Sequence, residues 1–529
     1  MATIQHFLER QVAADPQRRA VVSKSGTLSY GELDRVSNQI AQWLHAQTVL
    51  PGERVLLLGA NSIELVAAIF GSLKAGTAFV PVHPDTPTAK LAYILSDCRP
   101  AAMVVDAPLY DRCAELQGRQ RLPVLLLPGL SLPHNAPARH RSSVQVVQWA
   151  ALADYPANRP GIAMTEHNLA AVLYTSGTTK DPKGVMSLHR QVVFVTSAIN
   201  SRLQNSAADV VLCGLPLSFD YGLYQVFLCA DVGATLILEP DFGFPPVIPR
   251  LLAMHRVTGL PGVPSLFALL LRSRLLERVK LPGLRYISST GDIFPPAHID
   301  RLREILPHVS VFSMYGLTEC KRVSILMPDQ LDSHRGSVGL PLPGTRITVI
   351  DDTGVERASG VGQLTVRGPH VMVGYWNDPT ETARRYTRDS ETGERILLTG
   401  DRCRIDADGY LYFLGRDEML IKRRSHRISV AEVESFLCSL DGVSEAGVVG
   451  IPDEFEGEQM WAYVSVPPEV QLPAEHMKER CLATLGAECC PQWFVITRSP
   501  LPKTTNGKID RLFLRQLAEA KGELSVEDL

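Results

Sequence analysis

Apolar runs of strand length take turns with segments of helical period through the first part of the chain. "GERVLLLGA" (52–60) is a short, nearly continuous apolar run of the kind buried on both faces of a sheet. "SIELVAAIFGSLKAG" (62–76) follows, with apolar residues three and four apart, which predicts a helix. "TAFVPV" (77–82) is a second strand, and "AKLAYILSDCRP" (89–100) with "AAMVVDA" (101–107) repeats the scheme. Strand, helix, strand in this order restricts the fold to α/β, with parallel sheets covered by helices. "VQVVQWAALADYPANRPGIAMTEHN" (144–168) has no period and is predicted to be an irregular surface connection.

With 529 residues the chain is too long for one core, so at least two domains are expected. The texture changes after Phe413. "GRDEMLIKRRSHR" (415–427) is crowded with charge, and "SVAEVESFLCSL" (429–440) then starts on a serine and has helical spacing. "VSEAGVVGIPD" (443–453) and "QMWAYVSV" (459–466) read as strands. We place the division at 415/416, giving a large N-terminal domain over 1–415 and an α+β domain over 416–529, about 110 residues and a usual domain size.

The net charge of -3 gives no global attraction to nucleic acid or anionic membrane, and "PARHRSS" (137–143) reads as a solvated loop. Ten cysteines are scattered with no C-x-x-C pair, which suits neither a metal site nor a disulfide framework. The first residues carry no basic-then-apolar signal pattern, and no apolar run approaches the roughly 18 residues that span a bilayer. A reducing cytoplasm is the expected location.

Chemistry concentrates in "YTSGTTKDPKG" (174–184). Thr175, Ser176, Thr178 and Thr179 offer hydroxyls, Gly177 a flexible point and Lys183 a charge. Such a turn after the buried strand "NLAAVLYTSG" (168–177), with "VMSLHRQVVFVTSAI" (185–199) read as a following helix, can wrap phosphate oxygens. It lacks the G-x-x-x-x-G-K-[ST] pattern, and from spacing alone a polar surface turn fits nearly as well.

Four further stretches decide between these readings: "YGLTE" (315–319), "TGD" (399–401), "GRDEMLIKRRSHRISVAEVE" (415–434) and "LPKTTNGKIDR" (501–511). In this order, with the 174–184 loop, they resemble the adenylate-forming superfamily of acyl-CoA synthetases, adenylation domains of nonribosomal peptide synthetases, and luciferases. The resemblance runs to about Arg511 and most closely suggests a stand-alone acyl or aminoacyl ligase. It implies that a carboxylate attacks the α-phosphorus of ATP to give an acyl-adenylate and pyrophosphate. A second nucleophile, commonly the thiol of coenzyme A or of a carrier protein's phosphopantetheine, then takes the acyl group.

By the same resemblance Thr175, Ser176, Gly177, Thr178, Thr179 and Lys183 grip the outer phosphates. Gly291, Asp292 and Tyr315 take the nucleotide, Tyr315 with its aromatic face, although it also reads as a core tyrosine. Thr318 faces the α-phosphate, and Glu319 is a hard oxygen ligand for Mg²⁺. Asp401 suits two ribose hydroxyls, and Arg416 adds ribose or phosphate contacts. Lys508, on the small domain, is the cation between the two anions that react, so that domain must close for this step. A rotation about Glu418 would then serve the second step, bringing Arg423, Arg424 and Arg427 inward; a solvated basic face is the plain alternative. Two residues depart from the pattern: Lys180 stands where relatives have glycine, and so does Ser425.

"LSFDYGLYQVF" (217–227) lies on the family's acyl-pocket segment. Phe219 and Asp220 match the Phe-Asp pair of amino-acid-activating members, whose aspartate pairs the substrate ammonium; Asp220 could equally pair within the protein. Tyr221, Tyr224, Ser288, Thr290, Met314, Arg322 and Val323 complete a fairly polar pocket, unsuited to a long fatty chain. Arg322 could take a second carboxylate or an internal partner. The expectation is a ligase for a small acid, plausibly an amino acid, acting with a separate carrier protein or coenzyme A. An amide-forming ligase and a non-catalytic nucleotide-binding regulator are the alternatives.

Overall fold

The structure, a computed structural model, describes residues 3–116, 122–128, 146–175, 181–240, 242, 246–416, 420–423, 426–453, 457–504 and 507–521. Ser176, Gly177, Thr178, Thr179, Lys180, Glu418, Arg424 and Ser425 lie outside them, as does the side chain of Arg427.

Strands Arg54–Leu58, Ala78–Val82 and Ala102–Asp106 are parallel neighbours. Every residue of the connecting helix Ile63–Lys74 is buried, and Ser62 caps it by accepting from the Leu65 amide. Burying each of its large apolar side chains contributes about 1.5–3 kcal/mol, which holds a helix of such short length. Its terminal Lys74 is 1% exposed and is held by the Asp34 carboxylate and by Asn38 Oδ1 at 2.7 Å.

The 168–199 region differs from its sequence reading. Strand Leu169–Thr175 pairs antiparallel with strand Lys183–Leu188, and only then does helix His189–Leu203 begin. Val185 and Ser187 are buried on either side of a half-buried Met186, a strand alternation hidden by the helix-like apolar run behind it. Residues 144–168 are also less irregular than expected: Val146–Gln148 joins the edge of the first sheet beside Val124–Leu127.

A second sheet carries parallel strands Val210–Cys213, Thr235–Leu238, Gly259–Gly262, Tyr286–Ser289 and Ser310–Tyr315. Its strand ends lead into the segments that hold Phe219, Gly291 and the 315–319 turn. Binding groups gather at such carboxyl ends in open α/β sheets. A third sheet is antiparallel, with Arg346–Ile350, Gly360–Arg367, Arg395–Ile405 and Leu411–Arg416, and has its own apolar cluster.

Beyond residue 420 a hairpin, Ile421–Arg423 with His426–Ile428, precedes the capped helix Val430–Cys438. Strands Glu445–Asp453, Gly457–Ser465 and Trp493–Thr497 form a small sheet over a separate core around Val433, Leu437, Val448 and Met477. This C-terminal unit rests on the large one at several points. Ser265 donates to the Gly507 carbonyl, Arg272 donates to Ser465 Oγ at 3.0 Å, and Arg511 Nη1 lies 3.6 Å from Asp292 Oδ2.

Candidate active site

The 315–319 turn is forced by its glycine. A β-carbon at Gly316 would fall 1.8 Å from the Lys321 carbonyl oxygen, so any other residue would prevent the chain from folding back so tightly. The turn leaves Tyr315 inside and Thr318 half-exposed. Tyr315 tilts over Phe413 at 5.7 Å and donates its hydroxyl to Asp401 Oδ2. The register of the third sheet sets Asp401 opposite Arg416, whose Nε lies 3.3 Å from Asp401 Oδ1. That buried Oδ1 has no hydrogen-bond partner of its own. Burial pushes the Asp401 carboxyl up, with the Arg416 charge and the Tyr315 hydroxyl opposing.

Glu319 accepts a hydrogen bond from the Tyr375 hydroxyl at 2.7 Å. The Tyr375 ring also lies 5.8 Å below the Lys183 ammonium, which is paired with Glu381 at 2.9 Å. Thr175 ends its strand beside Lys183, its hydroxyl 3.5 Å from the Lys183 carbonyl. The two ends of the hairpin therefore converge on the Glu319 side of the turn, and the hairpin tip lies outside the described residues. Among the described residues no three His, Cys, Asp or Glu side chains gather as a metal-binding group. A lone carboxylate such as Glu319 still fits Mg²⁺, which is commonly held by one or two carboxylates together with substrate phosphates.

Lys508 reaches this site from the C-terminal unit. Its ammonium sits 5.9 Å from the Phe219 ring centroid, and its Cε would touch a β-carbon built on Gly291 at 3.6 Å. Gly291 has φ +97°, so it gives the lysine room and a backbone that L side chains rarely adopt. Crowding by protein lowers the Lys508 pKa; Asp292 and Asp220 oppose the fall and Arg416 adds to it. Arg511, three residues on, grips Glu434 through Nε at 3.0 Å and Nη2 at 2.6 Å while facing Asp292, tying the lysine's segment to both units.

A cavity is lined by Asp220, Tyr221, Tyr224, Ser288, Met314, Lys321 and Arg322, together with Ile199, Leu203, Gln225 and Leu228. Asp220 stands in the first turn of helix Asp220–Val232, where the helix dipole favours a carboxylate. Tyr221 is fixed by Ser288, 2.8 Å from its hydroxyl, and Arg322 lies 5.2 Å from the Tyr221 ring while donating to Thr290. The buried Tyr224 hydroxyl has no partner. Val323 does not line this cavity: it is fully buried with Val185, Tyr315 and Val349 in the core of the third sheet. Successive residues of an extended chain point to opposite sides, and Arg322 takes the cavity side.

Three groups were not singled out from the sequence as site residues. Tyr375 and Glu381 lie far along the chain from the residues they hold, with no pattern marking them. Lys321 sits between Cys320 and Arg322, and a lysine beside an arginine reads as solvated surface; here it is 5% exposed.

Helix-covered parallel sheets and a small C-terminal unit whose Lys508 lies beside Phe219 and Gly291 of the large one are the setting in which the chain's relatives are compared. The chain belongs to the AMP-binding enzyme family, whose model matches residues 8–376; the model of the AMP-binding enzyme C-terminal domain matches residues 432–508. It is 31% identical over 518 residues to a linear gramicidin synthase of Brevibacillus parabrevis, covering 96% of this chain and 6% of that protein. It is 30% identical over 517 residues to a plipastatin synthase of Bacillus subtilis (strain 168), covering 96% of this chain and 14% of that protein. The chain thus spans only a small part of these relatives. Among solved structures, ATP-bound MatB from Rhodopseudomonas palustris superposes with a TM-score of 0.85 at 25% identity, covering 98% of this chain and 99% of the other. The amide bond synthetase McbA from Marinactinospora thermotolerans gives 0.82 at 25% identity, covering 97% and 99%. Among the described residues no helix is long and apolar enough to cross a membrane.

Proposed function

We propose that this enzyme activates a small carboxylic acid, an amino acid on the reading that Asp220 supports, as its acyl-adenylate, and passes the acyl group to a phosphopantetheine thiol of coenzyme A or a separate carrier protein. The supporting observation is the place of Lys508, beside Gly291 and beside Phe219, the residue that precedes the cavity-lining Asp220. A carboxylate oxygen attacks the α-phosphorus, the bond to the pyrophosphate oxygen breaks, and no proton needs to move because the acid is already ionised. Lys508 holds the two approaching anions together, and charge stabilisation of this kind accounts for much of catalysis.

Thr318 turns its hydroxyl to the α-phosphate. Thr175, Ser176, Gly177, Thr178, Thr179 and Lys183 hold the phosphates that leave, Lys183 exchanging Glu381 for them. Tyr315, Gly291 and Asp292 receive the adenine side. The unpartnered Asp401 Oδ1 is an acceptor for a ribose hydroxyl, with Arg416 beside it. Glu319 is the residue that would hold Mg²⁺, which when bound neutralises phosphate charge. Residues 1–415 and 416–529 act as two bodies, with Glu418 as the pivot for the thiol-transfer step. A second reading, transfer to an amine, is favoured by the likeness to an amide bond synthetase.

Acid-dependent exchange of labelled pyrophosphate into ATP, across amino acids and simple acids, tests the first step. Exchange with no acid would overturn it. Asp220→Ala should abolish the preference for amino acids over their des-amino analogues; an unchanged preference would remove the ammonium-binding role. Offering coenzyme A, holo carrier protein and amines to the preformed adenylate separates thioester from amide formation.

A further inference from the structure

Two charges in the acid cavity have no part in adenylation. Lys321 is 5% exposed, and its Nζ has no hydrogen-bond partner. The nearest aromatic face is the Tyr224 ring, 5.7 Å away. Arg322 is 6% exposed; one of its nitrogens donates to Thr290, while its Nε is buried and unpartnered. Both line the same cavity although they are consecutive. On an extended chain they would point to opposite faces. The left-handed backbone of Lys321, φ +64°, breaks that alternation and turns both cations inward.

A buried ammonium without a partner is costly, and proteins keep such groups where something compensates them. The acids within electrostatic reach do not suffice. Glu319 is engaged by Tyr375, and the single carboxylate of Asp220 faces Lys321, Arg322 and Lys508 together. Counting the cavity wall, Asp220 against Lys321 and Arg322, leaves one positive charge unmatched. The cavity is also enclosed by Tyr221, Tyr224 and Met314, all buried, which suits a short ligand that ends in a compact anion.

We propose that the acid this enzyme activates carries a second carboxylate at its far end, bound between Lys321 Nζ and Arg322 Nε. The proposal rests on reading this cavity as the acid site. Two kinds of molecule share this chemistry: acidic amino acids, whose ammonium would meet Asp220, and simple dicarboxylic acids without an ammonium.

The test pairs acids of equal length with and without the distal charge: glutamate with glutamine, aspartate with asparagine, glutarate and succinate with their monoamides. Pyrophosphate exchange and calorimetric binding are both measured, on the wild type and on Lys321→Met and Lys321→Arg. The proposal expects at least tenfold higher kcat/KM for the charged member of the best pair. Lys321→Met should lower that ratio by about 10- to 100-fold, mainly through KM, and Lys321→Arg should restore part of it. Which charged member wins, with or without the ammonium, distinguishes the two sources. A preference for neutral members, or an equal loss for both members in Lys321→Met, would overturn the anion site while leaving adenylation intact. Lys321-dependent binding of charged acids without exchange would support the anion site and overturn adenylation. Neither binding nor exchange by any charged acid would overturn the anion site.

Discussion

Lys74 and Lys321 are both shut away from water, and they are furnished differently. Lys74 closes a buried helix and has an aspartate and an asparagine around its ammonium. Lys321 follows a tight turn and has an aromatic ring nearby and no acceptor. Burial lowers both; Asp34 opposes the fall at Lys74 by charge and hydrogen bond, and Lys321 is brought down to about 8 against the charges of Asp220, Glu319 and Cys320 alone. A buried charge that completes its own hydrogen bonds belongs to the scaffold. One left incomplete, at the wall of a cavity, points to a partner from outside.

Lys508 extends the contrast to a lysine proposed to work between two reacting anions. Lys508→Ala should reduce pyrophosphate exchange by about 10²–10³-fold, comparable to loss of one preorganised stabilising group, while ATP binding by calorimetry persists. Exchange at the wild-type rate would remove Lys508 from the chemistry. Lys74→Met should cost about 3 kcal/mol in urea unfolding, because the Asp34 carboxylate and Asn38 lose their partner. If stability is unchanged, Lys74 is no more structural than Lys321.

The two lysines also separate by pH. Asp220 on the neighbouring helix, together with Glu319 and Cys320 on the turn, supports the Lys321 charge, and Arg322 and Tyr224 complete its surroundings. Its proton leaves as pH rises, so attraction for a distal carboxylate is present below about 8 and lost above it. The kcat/KM of a charged acid relative to its neutral partner should fall by up to about tenfold per pH unit beyond that point, since this ratio reports the free enzyme. A flat ratio from pH 7 to 9.5 would break the link. The smallest effect is on stability: Lys321→Met should leave urea unfolding within about 1 kcal/mol of wild type or raise it, because an unpaired buried charge is removed.

Much of the fold could be read from local pattern. The buried strands at 54–58 and 78–82 and the helix between them stand out because both faces of each are apolar. The hairpin at 169–188 did not, because the strand Lys183–Leu188 runs directly into a helix and their apolar residues merge into one period. The third sheet was missed for a related reason: its strands are half-exposed, and Asp401 and Arg416 meet only through cross-strand register. Lys508, Glu319 and Asp401 were legible as candidates through motifs. The inward turn of Lys321 was not, because it depends on one residue's backbone angle, and the departure of Val323 from the cavity depends on strand alternation after it.

On the proposed reading the 315–322 segment serves the nucleotide through Thr318 and Glu319 and the acid through Lys321 and Arg322, which line one cavity, and Gly316 leaves no slack between them. It therefore works as a spacer of fixed length. Side chains along it can be exchanged to admit a different acid while the phosphate chemistry continues, but a residue inserted or deleted would throw both ends out of register at once. Variation in what such an enzyme accepts should accordingly proceed by substitution here and never by change of length.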